Sequence, residues 1–351
     1  MTLRLSAQRL LGPRDLRPSD VRFDVIGAFN PGAVRVDGEI VLLVRVAERS
    51  RDNRPGFVAL PRYGEGAEAV VDWVHEADLD QSDPRVVRRR PGRLVRLTSV
   101  SHLRVLRRSE ENASGWTAGP VLLPESPSEE YGLEDPRITE IEGRYWITYV
   151  AVSRHGAATG LASTSDFVTF ERHGVIFPPE NKDVVLFPRK VQGRYVALHR
   201  PTTKTEFCRP EIWLSRSPDL RHWGDHEPLF RGLAEWESDR IGAGAPPVEL
   251  DEGWLVVYHG CGASPGLGGV GVYCAGAVLL DRDDPARLLK RGGAPIMRPV
   301  ADYERRGFVP NVVFPTGLID RGPTLTAYYG AADTAVGSAE FSSATLLASL
   351  H

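Results

Sequence analysis

The stretch NPGAVRVDGEIVLLVRV (residues 30–46) predicts two β-strands joined by a tight turn at Asp37-Gly38. Glycine supplies the positive φ that such a hairpin turn requires. A proline at the start of the first strand does little harm, because the N–H that it lacks lies at the end of the ladder. Four later segments repeat this pattern with a glycine at the turn, namely residues 135–151, 187–201, 245–260 and 314–330.

The spacing of these hairpins predicts the fold. Their turn glycines are Gly38, Gly143, Gly193, Gly253 and Gly322. The last three intervals, of 50, 60 and 69 residues, fit the four-stranded blades of a β-propeller. We therefore predict an all-β fold, a single five-bladed β-propeller over residues 1–351. An insertion at about residues 65–100, in the first blade region, explains the longer first interval of 105 residues. A β-sandwich is the alternative.

The composition argues against several classes of protein. A net charge of -3 and a pI of about 6.3 do not support nucleic-acid binding. No run of 18 apolar residues predicts a membrane span, and the N-terminal sequence lacks a signal-peptide pattern, so we predict a cytoplasmic protein. The three cysteines have no paired spacing, which argues against a disulfide framework or a zinc ribbon. We expect no metal, and the sequence leaves association into a homo-oligomer open.

Polar residues cluster at the hairpin ends that lie opposite the turns. The start of the first strand and the end of the second lie side by side there. In five blades these ends would form a ring at one mouth of the channel. The polar residues at these ends include Asn30, Arg45, Glu48, Glu134, Asp135, Lys190, His199, Arg200, Tyr258, His259, Asn311 and Asp333. This mixture fits a polar site for a sugar or an anionic substrate. The alternative is a set of solvated loop ends that are polar by chance, and for Tyr258 and Tyr329 the alternative role is to plug the channel.

Taken together, these segments resemble glycoside hydrolase family 130, the β-mannoside phosphorylases and β-mannosidases with a five-bladed propeller. Motifs along nearly the whole chain carry the resemblance, among them VIGAFNPGAV (25–34), GLEDPRIT (132–139), PENKDVVLFPRK (179–190), GAGAPPVELDEGWLVVYHG (242–260) and YYGAADT (328–334). The segment VSHLRVLRRS (100–109) most resembles members that act on β-1,2-linked mannosides.

The resemblance implies roles for particular residues. Asp135 matches the general acid of the family. The phosphate-binding set of the family matches Arg49, Lys190, Arg200 and His259. Its sugar contacts match Asn30, Arg45, Glu48, Asn311 and Asp333. The ring of polar residues adds Glu134, His199 and Tyr258 as candidate substrate contacts.

The chemistry of these residue types favours a phosphorylase. An inverting hydrolase needs a second carboxylate to activate water, whereas a phosphorylase needs cations that hold phosphate. One acid and a basic cluster therefore predict inverting phosphorolysis of β-1,2- or β-1,4-linked manno-oligosaccharides to α-mannose 1-phosphate, with phosphate as co-substrate and no cofactor. The alternatives are a β-mannosidase, with Glu48 or Asp333 as the base, and a non-catalytic glycan-binding propeller. Glu134 is a competing acid. The basic run 88–90 is most simply a solvated face of the insertion, and the alternatives are a role in oligomer contacts or in closing over the acceptor sugar.

Overall fold

The computed structural model describes residues 3–89, 95–111, 115–262 and 270–351. Strands make up most of its regular structure, which confirms the all-β prediction. The strands up to residue 122 are β1 (Arg4–Leu11), β2 (Phe23–Val36), β3 (Glu39–Ser50), β4 (Phe57–Tyr63), β5 (Ala69–His75), β6 (Leu79–Asp83), β7 (Val86–Arg89), β8 (Val95–Leu97), β9 (Val100–Ser109) and β10 (Thr117–Leu122).

The remaining strands continue to the C-terminal region. They are β11 (Gly132–Ile141), β12 (Arg144–Ser153), β13 (Gly156–Thr164), β14 (Glu171–Phe177), β15 (Asn181–Leu186), β16 (Tyr195–Pro201), β17 (Ile212–Ser217), β18 (Gly224–Phe230), β19 (Arg240–Ala243), β20 (Val248–Leu250), β21 (Gly253–Gly262), β22 (Val272–Leu280), β23 (Leu288–Arg291), β24 (Val313–Asp320), β25 (Thr324–Ala331) and β26 (Ala335–Ser342). Two short α-helices are α1 (Asp302–Arg305) and α2 (Ser343–Ala348). Single 3-10 turns occur at Pro13–Asp15, Glu65–Ala67, Glu76–Asp78, Pro127–Glu129 and Glu235–Glu237.

The longer strands form antiparallel groups, which we call sheets I to V in chain order. Sheet I contains β2, β3, β9 and β10; sheet II, β11–β14; sheet III, β15–β18; sheet IV, β19–β23; and sheet V, β24–β26 with β1. A parallel pairing of Gly132 with Ser101 joins sheets I and II. Because β1 pairs with β26, the N-terminal strand completes the sheet that the C-terminal strands begin.

The first hairpin of each sheet turns where the sequence predicts. The turn glycines adopt positive φ values of 79° at Gly38, 76° at Gly143, 78° at Gly193, 139° at Gly253 and 80° at Gly322. A side chain is strained in that region of φ, so glycine at these five turns lets the second strand return along the first.

The insertion is longer than predicted. It begins after β3 and ends before β9, so it lies between the second and third strands of sheet I. Its strands form a pair, β4 with β5, and a three-stranded sheet, β6–β7–β8. Residues 90–94 of the predicted insertion lie outside the described residues.

Buried apolar clusters lie between successive sheets. Five clusters each take residues from two neighbouring sheets, and one of these five joins the last sheet to the first. Representative pairs are Leu43 with Ile147 (I and II), Ile141 with Val184 (II and III), Val185 with Trp254 (III and IV), Leu255 with Val313 (IV and V) and Ile319 with Ala28 (V and I). The core is therefore distributed around the set of sheets rather than enclosed between two of them.

A buried tyrosine clamp recurs in sheets II, IV and V. The hydroxyl of a second-strand tyrosine donates to a buried glutamate, which also accepts N–H groups of a preceding turn and an arginine. The tyrosine–glutamate distances are 2.7 Å for Tyr149–Glu129, 2.9 Å for Tyr258–Glu237 and 2.7 Å for Tyr329–Glu304. The arginines are Arg172, Arg291 and Arg4. A Cβ at the third-strand Gly160, Gly276 or Gly337 would lie 2.3, 2.6 or 2.4 Å from the facing tyrosine ring. The clamp thus ties the turn of each sheet to its strands.

Candidate active site

A cavity of about 460 Å³ lies at the hairpin ends opposite the turns. The predicted site residues that line it are Asn30, Arg45, Glu134, Asp135, Arg200, His259 and Asp333. They come from all five sheets or from the loops directly after their strands, so the folded sheets bring together positions more than 300 residues apart. A larger cavity, of about 700 Å³, is lined by other residues, among them Tyr63, Glu65 and Arg154.

One side of the cavity carries carboxylates around an arginine. Asp135 Oδ1 accepts hydrogen bonds from Asn30 Nδ2 at 2.8 Å and from Arg45 Nη1 at 3.0 Å. Arg45 Nη2 donates to Glu134 Oε1 at 2.6 Å, and its guanidinium lies over the Phe29 ring. Arg45 is thereby held by two carboxylates and an aromatic face, which makes it a rigid centre for this side.

Bulges aim the polar side chains of this region into the cavity. The pairing of β11 with β12 shifts between Glu134 and Arg137, and Asp135, one of the two residues within this bulge, has a φ of 48°. The pairing of β2 with β3 shifts in the same way around Asn30, whose φ is 47°. A bulge adds one residue to a strand and redirects its side chains. Asp135 and Asn30 therefore meet across neighbouring sheets.

The two cavity aspartates differ in their protonation. Burial would raise the pKa of Asp135, but the charges of Arg45 and Arg137 and the hydrogen bond from Asn30 bring it below its usual value. Burial raises the pKa of Asp333 to about 7, and the charges of Asp135 and Glu134 add to this effect against Arg45 and Arg85. In the ligand-free protein Asp135 is therefore ionised near neutral pH, while Asp333 retains its proton up to about pH 7.

Asp333→Asn is expected to change how stability depends on pH. The pKa of Asp333 is raised in the folded state, so its contribution to the free energy of unfolding is present below about pH 4 and is lost as the pH rises towards 7. The stability of wild type relative to Asp333→Asn should therefore fall by up to about 1.4 kcal/mol per pH unit between pH 4 and 7, and then stay level. Urea unfolding of both proteins at pH 5, 6, 7 and 8 measures this difference. A difference that does not change with pH would contradict the protonated state of Asp333.

The other side of the cavity carries cations around Asp183. Arg200 Nη1 lies 2.7 Å from Asp183 Oδ2, and Arg137 Nη2 donates to Asp183 Oδ1 at 3.0 Å. Burial opposes ionisation of Asp183, yet Arg200, His259 and Arg137 hold its pKa well below the usual range. Lys182 lines the cavity beside them. Three cations against one carboxylate leave this side positively charged.

Two buried nitrogen atoms on this side of the cavity are candidates to donate hydrogen bonds to a ligand. Burial lowers the pKa of His259 to about 3, so its ring is neutral near pH 7. Within the part of the chain that the structure describes, the buried Nδ1 of His259 and Nε of Arg200 have no hydrogen-bond partner. Buried polar atoms are nearly always paired, so these atoms suit an anion or a sugar hydroxyl that enters the cavity.

The structure does not bring Lys190 or Arg49 to the cavity. Lys190 lies near the turn of the β15–β16 hairpin, where it pairs with Glu142 Oε1 at 3.1 Å and lies over the Tyr195 ring. Arg49 is exposed near the end of β3. Lys182, and not Lys190, lines the cavity, because Lys182 is the lysine that pairs in register with Arg200. Strand pairing, which decides between the two lysines, cannot be read from the PENKDVVLFPRK segment alone.

Three predicted substrate contacts face away from the cavity, and a fourth lies only next to it. Glu48 accepts from Ser19 N at 2.6 Å, His199 bonds to Asn181, and Tyr258 belongs to its clamp. Each is next in sequence to a cavity residue, respectively Ala47, Arg200 and His259. Successive side chains of a strand point to opposite faces, so only one of each pair can reach the cavity. The carbonyl of Asn311 accepts from Tyr273 N at 3.0 Å, beside the lining residue Val312.

Sequence reasoning missed several cavity residues. Lys182 and Asp183 lie in the segment PENKDVVLFPRK (179–190), but only the register of the strands shows that these two residues reach the cavity. Tyr273 lines the cavity and accepts a hydrogen bond from Arg240 Nε at 2.9 Å. The insertion contributes Asp83, Arg85 and Arg88 to the lining. The basic run of the insertion was therefore a usable signal, since Arg88 faces the cavity; Arg90 lies outside the described residues.

Neither a metal site nor a membrane helix is found in the described ranges. Among residues 3–89, 95–111, 115–262 and 270–351, no three His, Cys, Asp or Glu side chains are grouped so that they could hold a metal ion. No helix in these same ranges is long and apolar enough to cross a membrane. The cytoplasmic location, the lack of a cofactor and any self-association stay predictions.

Comparisons with known proteins point to one family. A family model described as beta-1,4-mannooligosaccharide phosphorylase matches residues 101–350. The beta-1,2-mannobiose phosphorylase of Listeria innocua is 40% identical over 349 residues, covering 97% of this chain and 96% of its own. A 1,2-beta-oligomannan phosphorylase of Thermoanaerobacter sp. is 39% identical, covering 63% of this chain and 71% of its own. The structure of the Listeria innocua enzyme with beta-1,2-mannobiose superposes with a TM-score of 0.89 at 39% identity, covering 98% of this chain and 99% of that one.

Proposed function

This chain belongs to glycoside hydrolase family 130, and on that premise we propose that it catalyses the inverting phosphorolysis of β-1,2-linked mannobiose and short related mannosides. The products are α-mannose 1-phosphate and the leaving sugar, which is mannose for mannobiose and a mannoside one unit shorter for a longer substrate. One observation carries the proposal. A single cavity holds an ionisable carboxylate, Asp135, on one side and the cations Lys182 and Arg200 on the other. Membership of the family and the similarity to mannoside phosphorylases support phosphorolysis of β-mannosides. What we propose beyond this is the preferred linkage and the role of each residue.

The five sheets are proposed to be the blades of one five-bladed propeller over residues 1–351. Two features support this. The apolar clusters pair the sheets in a cycle that includes sheet V with sheet I. In addition, β1 completes the last sheet, which ties the two ends of the chain together. This arrangement would place the cavity at one mouth of a central channel.

Lys182, Arg200 and His259 form the proposed phosphate site. Cationic donors make the strong hydrogen bonds that hold phosphate. Lys182 and Arg200 supply the charge, and neutral His259 supplies a donor without adding to it. Phosphate held there is already an anion, so its attack on the anomeric carbon needs no general base. That explains how one acid can suffice.

Asp135 is the proposed general acid. An oxygen of phosphate forms the new bond to C1 while the C1–O bond to the leaving sugar breaks, and the leaving oxygen takes the proton of Asp135 directly or through a substrate hydroxyl. The ionised Asp135 must gain a proton before this step. Bound phosphate adds negative charge nearby and displaces water, and both effects raise a carboxyl pKa. Asp333, protonated in the free protein, is the proposed source of that proton, while Asn30, Arg45 and Glu134 hold the sugar.

The insertion limits the length of the substrate that the cavity can accept. Asp83, Arg85 and Arg88 form part of the cavity wall, which limits the room beyond the sugar that Asp135 would contact. The Listeria innocua relative aligns along this region as well as the rest of the chain. We therefore assign β-1,2-mannobiose as the preferred substrate class.

The test is turnover of β-1,2- and β-1,4-linked mannobiose with and without phosphate, with mannose 1-phosphate and free mannose assayed separately. We expect mannose 1-phosphate in proportion to mannoside consumed, no turnover without phosphate, and the higher rate with the β-1,2 linkage. Release of free mannose at a rate indifferent to phosphate would instead identify a β-mannosidase. Binding of both mannosides without turnover of either would identify a glycan-binding protein.

A further inference from the structure

We propose that His199 is a positioning residue for the phosphate site, acting through Asn181 to hold Lys182 opposite Arg200. The proposal rests on the proposed function, because it concerns the same cations. Side chains alternate between the two faces of a strand, and Arg200 faces the cavity. The ring of His199, the residue before it, therefore points to the other side of sheet III. There its Nδ1 lies 3.0 Å from Nδ2 of Asn181, and both residues are buried, at 3% and 8% exposed.

The link lies where the strand ladder is broken. Lys182 pairs with Arg200, but the next pair along is Val185 with Leu198, so β15 contains an extra residue there. The φ of Asp183, in this bulge, is 57°. A bulge disrupts the backbone hydrogen bonds around it. The Asn181–His199 hydrogen bond joins β15 to β16 one residue before Lys182 and one before Arg200, which compensates for the weakened ladder.

The position of His199 has a different occupant in other sheets. Tyr149, Tyr258 and Tyr329 take the corresponding place on the second strands of sheets II, IV and V. Their hydroxyls reach a glutamate next to a turn. His199 instead bonds to the first strand of its own sheet, the strand that carries Lys182 and Asp183. The tyrosines thus bind their second strands to a turn, whereas His199 binds β16 to β15, the strand that carries the cationic side of the cavity.

The protonation of His199 suits a fixed link. Burial, with the nearby His226, lowers the pKa of His199 to about 3, so the ring is neutral near pH 7. With the Asn181 amide as donor, Nδ1 of His199 is the acceptor and Nε2 carries the proton. Nε2 lies 3.1 Å from Nδ1 of His226 on β18, and the His199 ring stacks on Phe177 at 4.8 Å. The ring is therefore fixed from three sides.

His199→Phe tests the link, with Tyr149→Phe as its matched control. Phe retains the aromatic stacking at residue 199 but loses both hydrogen bonds. We expect the KM for phosphate to rise about tenfold, equal to about 1.4 kcal/mol, while kcat and the KM for β-1,2-mannobiose change less than about threefold. Tyr149→Phe also loses a buried hydrogen bond at the corresponding position. Its neighbour Val150 is a core residue, so this control should lower the thermal midpoint without altering the KM for phosphate.

A second variant separates positioning from simple loss of stability. His199→Asn places an oxygen where Nδ1 lies and can accept from Asn181, so it should recover most of the phosphate KM. Asn181→Ala breaks the same link from the other strand and should raise the KM for phosphate, so it answers the question if His199→Phe does not fold. An unchanged KM for phosphate in His199→Phe, or an equal rise in Tyr149→Phe, would overturn the proposal. Failure of the proposed function is distinct, because the wild-type protein itself would then release mannose without regard to phosphate.

Discussion

Asp135→Asn is expected to lower the turnover of β-1,2-mannobiose by about 10² to 10⁴, the usual contribution of general acid catalysis. The amide oxygen of asparagine can still accept from Asn30 and Arg45, so the carboxylate side should keep its geometry. What the variant loses is the proton for the leaving oxygen. Steady-state rates of mannose 1-phosphate formation, with circular dichroism to confirm folding, measure the effect.

The dependence on the leaving group identifies the acid. An aryl mannoside with an acidic phenol needs little protonation, so the loss in Asp135→Asn should shrink on that substrate. Asp333→Asn is the comparison variant: it removes the proposed source of the proton, so it should show the same dependence with a smaller loss, because Asp135 is still present to donate. Equal rates of wild type and Asp135→Asn on mannobiose would contradict the assignment. If Asp333→Asn alone shows the dependence on the leaving group, Asp333 is the proton donor.

The strand class and the hairpins could be predicted from sequence because their signals are local. Gly38 and Gly322 sit in turns whose φ values, 79° and 80°, are unfavourable for other residues, so the glycine marks the turn directly. The end of each hairpin opposite the turn follows from chain reversal alone. That is why the sequence alone predicts that Asn30, Asp135, Arg200 and His259, which line one cavity, lie together.

The choice between adjacent residues could not be predicted, because it depends on bulges. A one-residue shift moves a side chain to the other face of the sheet. Arg200 and His259 face the cavity, whereas His199 and Tyr258 do not. Nothing in the sequence shows which residue of each pair faces the cavity. The bulge at Asp183 results from pairing with a strand about 16 residues later, so the local sequence does not reveal it.

The tyrosine clamps show a second limit. The sequence predicts Tyr258 as a site residue because it precedes His259 at a polar strand end. Its hydroxyl instead donates a hydrogen bond to the buried carboxylate of Glu237, which also binds Arg291. Glu237 and Arg291 lie 54 residues apart, and nothing in their local sequence connects them. A buried polar residue that satisfies another buried group resembles a site residue until its partners are known.

Lys182→Ala is expected to raise the phosphate concentration needed for half-maximal rate by ten- to a hundredfold, and Lys190→Ala is expected to leave it unchanged. A hydrogen bond to a charged group contributes about 1.5–3 kcal/mol, and each 1.4 kcal/mol is about tenfold in affinity. Lys182 lines the cavity, whereas Lys190 forms an exposed pair with Glu142, a kind of contact that contributes at most about 1 kcal/mol to stability. The two variants delete the same side chain from positions eight residues apart, so any difference reports location rather than residue type.

The decisive measurement is the initial rate against phosphate concentration for both variants, at saturating β-1,2-mannobiose. Lys182→Ala should lose phosphorolysis faster than any residual hydrolysis, because water does not require the cation. Arg200 cannot serve as cleanly, since its loss would also leave Asp183 with less compensating charge in a buried site. A weakened phosphate response in Lys190→Ala, with Lys182→Ala unaffected, would return the phosphate site to the lysine near the turn and contradict the cavity as the place of phosphate binding.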